Sequence, residues 1–313
     1  MKPLNLIPAD VNIAFIVKRK LFFAFSTILL VASIGLVLTQ GLNFGIDFKG
    51  GILIEVRTSE PADIADMRTK MSGLGLGDIS LQNFGEDTDV LIRVQRQEGG
   101  DEAQQEAVNA IKGVLGEGVN YRRTEFVGPQ VSQELLEDGI LAVSLAMLAI
   151  LVYIWFRFEW QFGVCAVLAL VHDVISTIGI FALLGLEFNL STVAAVLTIA
   201  GYSINDTVVV FDRVRENLRK YKTMPLPELL NISINHTLSR TIITSLTTLI
   251  ALLAVYFLGG EVIRDFSFAM IWGVVIGTYS SICVAVPLLM YMGLDERARG
   301  SIAGDDTEAD ARP

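Results

Sequence analysis

Six stretches of the chain, at residues 21–39, 139–156, 162–185, 190–211, 241–259 and 266–292, are long and predominantly apolar. A helix rises 1.5 Å per residue, so about 20 apolar residues cross a hydrocarbon core of about 30 Å. The pattern predicts six transmembrane helices: one, then a polar interval, then five in close succession. The first stretch follows Lys18, Arg19 and Lys20, as a secretory signal would. Its apolar core exceeds the roughly 7–15 residues of a signal h-region, and "VLTQGLNFG" offers no small-residue cleavage site, so it reads as a retained anchor.

The polar interval, residues 41–137, has shorter periods. "GILIEVR" is strand-like. "PADIADMRTKMSGLG" places Pro61 at a helix start and glycines at its end. "ISLQNF" and "DVLIRVQ" read as strands joined by a polar turn containing Gly85, Glu86 and Asp87. "DEAQQEAVNAIKGVLGEG" carries acids in its first turn and apolar residues at Ala107, Val108, Ile111, Val114 and Leu115, an amphipathic helix. "VNYRRTEFV" closes as a strand. The order βαββαβ predicts a ferredoxin-like split unit. Its charges form an ordinary solvated surface without cleft chemistry, and docking is the role expected of it.

Composition supports the membrane reading. Of 313 residues, 52% are hydrophobic and 19% charged, with a mean hydropathy of +0.53. Soluble domains of this size are seldom so apolar. A net charge of -10 does not suggest a nucleic-acid partner. Cys165 and Cys283 fall inside apolar runs and read as core packing residues. No CxxC, HExxH, G-x-S-x-G or Walker sequence occurs, and two histidines leave little material for a metal site. Lysine and arginine set the orientation. They gather before the first helix, at Arg157, from Arg213 to Lys222, and at Arg297, Arg299 and Arg312. Both termini are therefore expected in the cytoplasm, and 41–137 on the outer side.

Three predicted helices hold polar groups that a bilayer penalises. An Asp at the bilayer centre costs about 2.5–3.5 kcal/mol on insertion scales. The third helix has His172 and Asp173; neighbours on a helix lie about 100° apart, so the two cannot both face one partner squarely. Asp173 shares a face with Ser176 and Thr177. The fourth has Asn205 and Asp206, with Tyr202 and Ser203 continuing the Asp206 face. Arg240 lies at the start of the fifth, which runs antiparallel to the fourth, so Arg240 and Asp206 fall at similar depth. Three readings compete: an ion pair that fixes packing, an Arg240 that snorkels to the headgroups, and a proton relay. In the third, burial favours a neutral carboxyl and a nearby guanidinium a charged one, so a contact that makes and breaks would load and release a proton. One charge crossing 100 mV carries about 2.3 kcal/mol, enough to bias a conformational equilibrium. Elsewhere, Gly273 and Gly277 form a GxxxG packing motif, and Pro287 is expected to kink the sixth helix. "PLPELLNISINHTLSR" reads either as a short interfacial helix or as a loop with one helical turn.

Several long motifs agree, in order and spacing, with one family. "FGIDFKGG", "VGPQVSQEL", "HDVISTIGIFALLGLEFNLSTVAAVLTIAGYSINDTVVVFDRVREN", "NHTLSRTIITSLTTL" and "FSFAMIWGVVIGTYSSICVAVPLL" resemble the SecD/SecF family of the RND superfamily over about residues 15–292. "SINDTVVVFDRVREN" and the modest outer domain are more similar to its SecF branch. The resemblance implies a multi-pass protein of the bacterial inner membrane that pairs with SecD in a twelve-helix bundle. It implies work with the SecYEG channel, with YajC and YidC as further partners, on unfolded exported preproteins. It implies drive by the proton motive force, with H⁺ as coupling ion, no cofactor and no enzymatic reaction. By motif position, Asp206 and Arg240 belong to the intramembrane proton-coupling site, whose partner carboxylate sits on SecD. Asn205, Asp173 and His172 are the further candidates.

The expected organisation is 1–40 for the N-terminus and first helix, 41–137 for the periplasmic domain, 138–292 for the five-helix membrane domain, and 293–313 for a disordered cytoplasmic tail. Two other classes stay open: half of an RND-type exporter of small molecules or lipids, and a passive membrane assembly factor. A single six-helix half with one outer domain argues against solitary transport.

Overall fold

The structure, a computed structural model, describes residues 12–116, 118–260 and 263–294. The tail expected at 293–313 lies outside the described residues from position 295 onward. Helix α1 (Arg19–Gln40) leads into a two-residue strand β1 (Asn43–Phe44) and a short helix α2 (Ile46–Lys49). The outer domain follows as β2 (Gly51–Thr58), α3 (Ile64–Ser72), β3 (Ile79–Phe84), β4 (Glu86–Val94), α4 (Gly100–Leu115) and β5 (Val119–Val127). Then come α5 (Pro129–Arg157), α6 (Trp160–Leu184), strand β6 (Glu187–Phe188), α7 (Leu190–Lys220), α8 (Leu226–Leu258) and α9 (Arg264–Ser280). Among the described residues, six helices are long and apolar enough to cross a membrane.

The outer domain has the expected βαββαβ order. Its antiparallel sheet runs β3-β4-β2-β5. One sheet face presents Ile52, Ile54, Val56 and Ile92, which pack with Met67, Met71 and Ile111 from α3 and α4. The double glycine of "FGIDFKGG" starts the central strand. Gly50 and Gly51 have φ of +71° and +125°, and a Cβ on Gly51 would lie 2.6 Å from the Val94 carbonyl oxygen.

Two local expectations are corrected. Pro61 does not start the helix; Asp63 does, accepting hydrogen bonds from the N–H groups of Ala65 and Asp66, both at 3.0 Å. Such a cap satisfies donors that a proline leaves open. The β3–β4 turn is also tighter than the sequence suggests. Gly85, at φ +89°, reverses the chain, and Glu86 and Asp87 already belong to β4. Arg57 holds Glu86 there at 2.9 Å.

In the bundle α6, α7 and α9 are the buried helices, and α1, α5 and α8 flank them. Close approach depends on small residues. A side chain at Gly273 would overlap Ile199 of α7, and a Cβ at Gly277 would lie 3.1 Å from that of Ser203. The GxxxG motif thus sets the α7–α9 contact. A side chain at Gly179 would overlap Ser33, which sets α1 against α6. Away from the outer domain the helix ends close over Ile16, Phe158, Phe162, Phe211, Leu218 and Leu289.

The stretch 226–240 is neither a separate helix nor a loop. It forms the first turns of α8, continuous to Leu258, because Leu229, Leu230 and Ile234 bury against that apolar core. The sixth span does deform near Pro287, but the change starts earlier. A π-helical turn occupies Ser281–Ala285, then α10 (Val286–Leu288), then a 3₁₀ turn Leu289–Tyr291. Proline crowds the carbonyl four residues back, here Cys283, and the widened turn contains that residue.

Candidate functional site

Asp206 lies on α7 where α7 meets α8 and α9. Hydrogen bonds set the register: Tyr202 donates to Ser245 at 3.4 Å and Asn217 to Ser233 at 2.8 Å. Asp206 then falls level with about residues 241–244 of α8, within about a turn of Arg240. Its side chain is buried, with only 3% exposed. The hydroxyls of Ser245 and Thr278, themselves 2.7 Å apart, interact with the carboxylate, and Arg240 acts on it through its charge. Oδ2 has no hydrogen-bond partner. Among the described residues no ion pair joins Asp206 to Arg240, whose residue is exposed on the outer face of α8. Asn205 is likewise exposed. The structure thus brings Asp206 and Arg240 to one level and leaves both with unused hydrogen-bonding or ion-pairing capacity.

His172 and Asp173 form a second cluster, in which both Asp173 oxygens are partnered. Asp173 is fully buried. Its Oδ1 lies 2.9 Å from His172 Nδ1, and its Oδ2 accepts from Ser203 of α7 at 2.6 Å and Ser280 of α9 at 2.7 Å. One carboxylate therefore ties α6, α7 and α9 together. The two neighbours do not share an outside partner; they bond each other. His172 Nε2 is buried without a partner. Ser203, expected on the Asp206 face, belongs to this cluster instead. Below it Thr207 meets Ser281 at 2.8 Å, at the start of the π turn.

The outer domain is joined directly to the start of α7. β1 pairs in parallel with β6, Asn43 opposite Glu187 and Phe44 opposite Phe188. Asp47 accepts from the Leu190 N–H at 2.9 Å, a carboxylate at a helix N-terminus. Arg93 of the outer sheet pairs with Glu187. Burial pushes the Glu187 carboxyl up from its ordinary range, and Arg93 pulls it the other way. Phe44, Phe48, Phe181 and Phe188 stack edge-on or tilted across the joint.

Sequence reasoning missed Ser245, Thr278, Ser280 and Ser281. The run "GTYSSICV" held the signal: consecutive small polar residues deep in an apolar span. It also missed the β1–β6 pairing, since two-residue strands leave no period to read. Cys165 and Cys283 are free and buried in the core, as expected.

Residues 107–295 match the family model for the protein export membrane protein SecD/SecF C-terminal region, and 35–62 match the SecD/SecF GG motif. The chain is 48% identical to the protein translocase subunit SecF of Cereibacter sphaeroides, over 93% of each chain. It is 47% identical to SecF of Rickettsia rickettsii, over 92% of this chain and 94% of that one. It is also similar to the crystal structure of SecDF, a translocon-associated membrane protein, from Thermus thermophilus. That match has a TM-score of 0.83 at 37% identity and covers 91% of this chain and 39% of that longer one. A second SecDF crystal structure, in a super-membrane-facing form, matches at a TM-score of 0.68 and 36% identity.

Proposed function

The chain belongs to the SecD/SecF family of protein export membrane proteins, among its SecF subunits, and from that premise we propose that it turns proton entry at Asp206 into movement of the outer domain. The family is one of non-enzymatic translocase subunits. What carries the proposal is the state of Asp206: a buried carboxylate with one oxygen unpartnered, a turn away from an arginine that it does not pair with.

A static packing pair would be closed, as Asp173 is. An open carboxylate in a bundle has two states to choose between. Protonated, it is neutral and tolerated among apolar helices; ionised, it demands a cation or further donors. Arg240 supplies the cation when α8 or its side chain shifts. A carboxylate on the SecD partner is the other group that would compete for Arg240, whose exposure faces outward from this chain. Asn205, exposed beside Asp206, would then line the same contact. Asp173 and His172 act as positioning residues: through Ser203 and Ser280 they fix the parts of α7 and α9 that carry Asp206 and Thr278.

Force then has a route. Asp206 lies about 24 Å along α7 from Leu190, at 1.5 Å per residue, and Leu190 is where Asp47, β1 and Arg93 attach the outer domain. The work done there is pulling or releasing exported, unfolded polypeptides on the outer side, with SecD, the SecYEG channel, and YajC and YidC as partners. The setting is the bacterial inner membrane with both termini in the cytoplasm and the outer domain in the periplasm. H⁺ is the ion, and no cofactor takes part.

The test is export by vesicles carrying the complete complex. D206N removes the titrating group and keeps its shape. It should abolish the part of export that responds to the proton motive force, with the complex still assembled. Undiminished stimulation in an intact complex would reject the relay. Loss of assembly in D206N would favour a structural role.

A further inference from the structure

We propose that the cleft between the α5–α6 turn and the last turns of α7 binds the phosphate headgroup of an anionic phospholipid. This open cleft of about 640 Å³, at the end of the bundle away from the outer domain, is lined by Arg157, Asp212, Arg215, Glu216, Arg219 and Lys220. Four cations face two carboxylates. Both carboxylates are already taken. Arg157 donates to both oxygens of Asp212, at 2.7 and 2.9 Å, and Arg213 donates to Glu216 at 2.6 Å. The surplus charge is on Arg215, Arg219 and Lys220, which form no ion pair among the described residues.

Arg215 is the most constrained of the three. Its guanidinium lies 5.5 Å over the Phe158 ring and donates to the Arg157 carbonyl at 3.3 Å. Its Nε is buried and has no hydrogen-bond partner. A guanidinium held in place by these contacts, with its charge unpaired, suits a phosphate oxygen.

The surroundings identify a lipid rather than a soluble anion. Trp155 and Phe156 end α5 and Trp160 begins α6, and they are 72%, 90% and 59% exposed. Such rings sit at headgroup depth in membranes. Acyl chains fit along α5, the least buried of the six spans, while the phosphate meets the arginines. Scattered positive charges that only set orientation would attract anionic lipid over the whole face. A site holds one at the cleft.

The full chain in vesicles provides the test. Trp155 and Trp160 report contact with brominated lipid, and Trp272, bonded to Ser176 at 2.9 Å, gives a constant background. Brominated phosphatidylglycerol should quench several-fold more than brominated phosphatidylcholine at equal mole fraction. R215Q/R219Q/K220Q should remove that preference and leave quenching by phosphatidylcholine unchanged. R219Q alone, at an exposed position, should raise the mole fraction of phosphatidylglycerol needed for half-maximal quenching about fivefold, from the energy of one cation at an anionic surface. It serves if the triple variant does not fold. Equal quenching by the two lipids, or a preference that survives the substitutions, overturns the proposal. So does inorganic phosphate that stabilises the chain in phosphatidylcholine vesicles as much as phosphatidylglycerol does, since the ligand is then a free anion.

Discussion

Asp206 and Asp173 are two buried carboxylates on one bundle, and their partners separate their roles. Asp173 has all its neighbours in place: His172, Ser203 and Ser280. Removing it strands the Ser203 hydroxyl and an imidazole in the core and leaves Ser280 only the Gly277 carbonyl. D173A should therefore destabilise the bundle by about 3 kcal/mol, read as a lower unfolding midpoint in detergent. D206N should leave that midpoint within about 1 kcal/mol of the parent, because one oxygen has no partner to lose. Equal destabilisation by both would contradict the division of roles. The sequence made Asp206, Arg240, Asp173 and His172 visible because an ionisable residue in an apolar run stands out. It did not make their partners visible. Serine and threonine are common in membrane helices, and which ones meet depends on how α6, α7 and α9 are rotated.

At the scale of elements, α7 and α9 pack as closely as their glycines allow. G277V would place two methyl groups against Ser203, the residue that donates to Asp173. It should separate the helices and break the Asp173 cluster, giving a larger loss of unfolding midpoint than G201V, at an exposed α7 position with nothing within 4 Å of a Cβ. In the outer domain, Arg57 and Asp89 lie opposite each other on β2 and β4 and form an ion pair. The Arg57 hydrogen bond holds the Asp89 carboxyl below its ordinary 3.8. Its stabilising contribution is complete above that value and is lost as pH falls through the lower folded one. D89N should flatten the low-pH limb of outer-domain unfolding, measured in the full chain as pH falls from about 5 to about 2; an unchanged limb would contradict this. Long elements were legible here, since a period repeated over twenty residues, or alternation over eight, leaves little ambiguity. Short devices were not: the Asp63 cap, the Gly85 reversal and the π turn each rest on one or two residues whose effect depends on neighbours distant in sequence.

At the scale of the whole molecule, the coupling proposed for Asp206 needs a mechanical link between the bundle and the outer domain. β1–β6, Asp47 on Leu190 and Arg93 with Glu187 all meet at the start of α7. R93Q should loosen that joint and speed amide exchange at residues 43–44 and 187–188 without changing exchange in the β2–β4 core. Exchange left as it was would show that the ion pair does not hold the joint. At the other end of α7, the proposed event is entry of a proton at Asp206. Proton flux into vesicles holding the complete complex, measured at fixed membrane potential during export, tests it most directly. Flux should appear with export in the parent and fall to the level of empty vesicles in D206N, with assembly intact. Flux in D206N equal to that of the parent would contradict it.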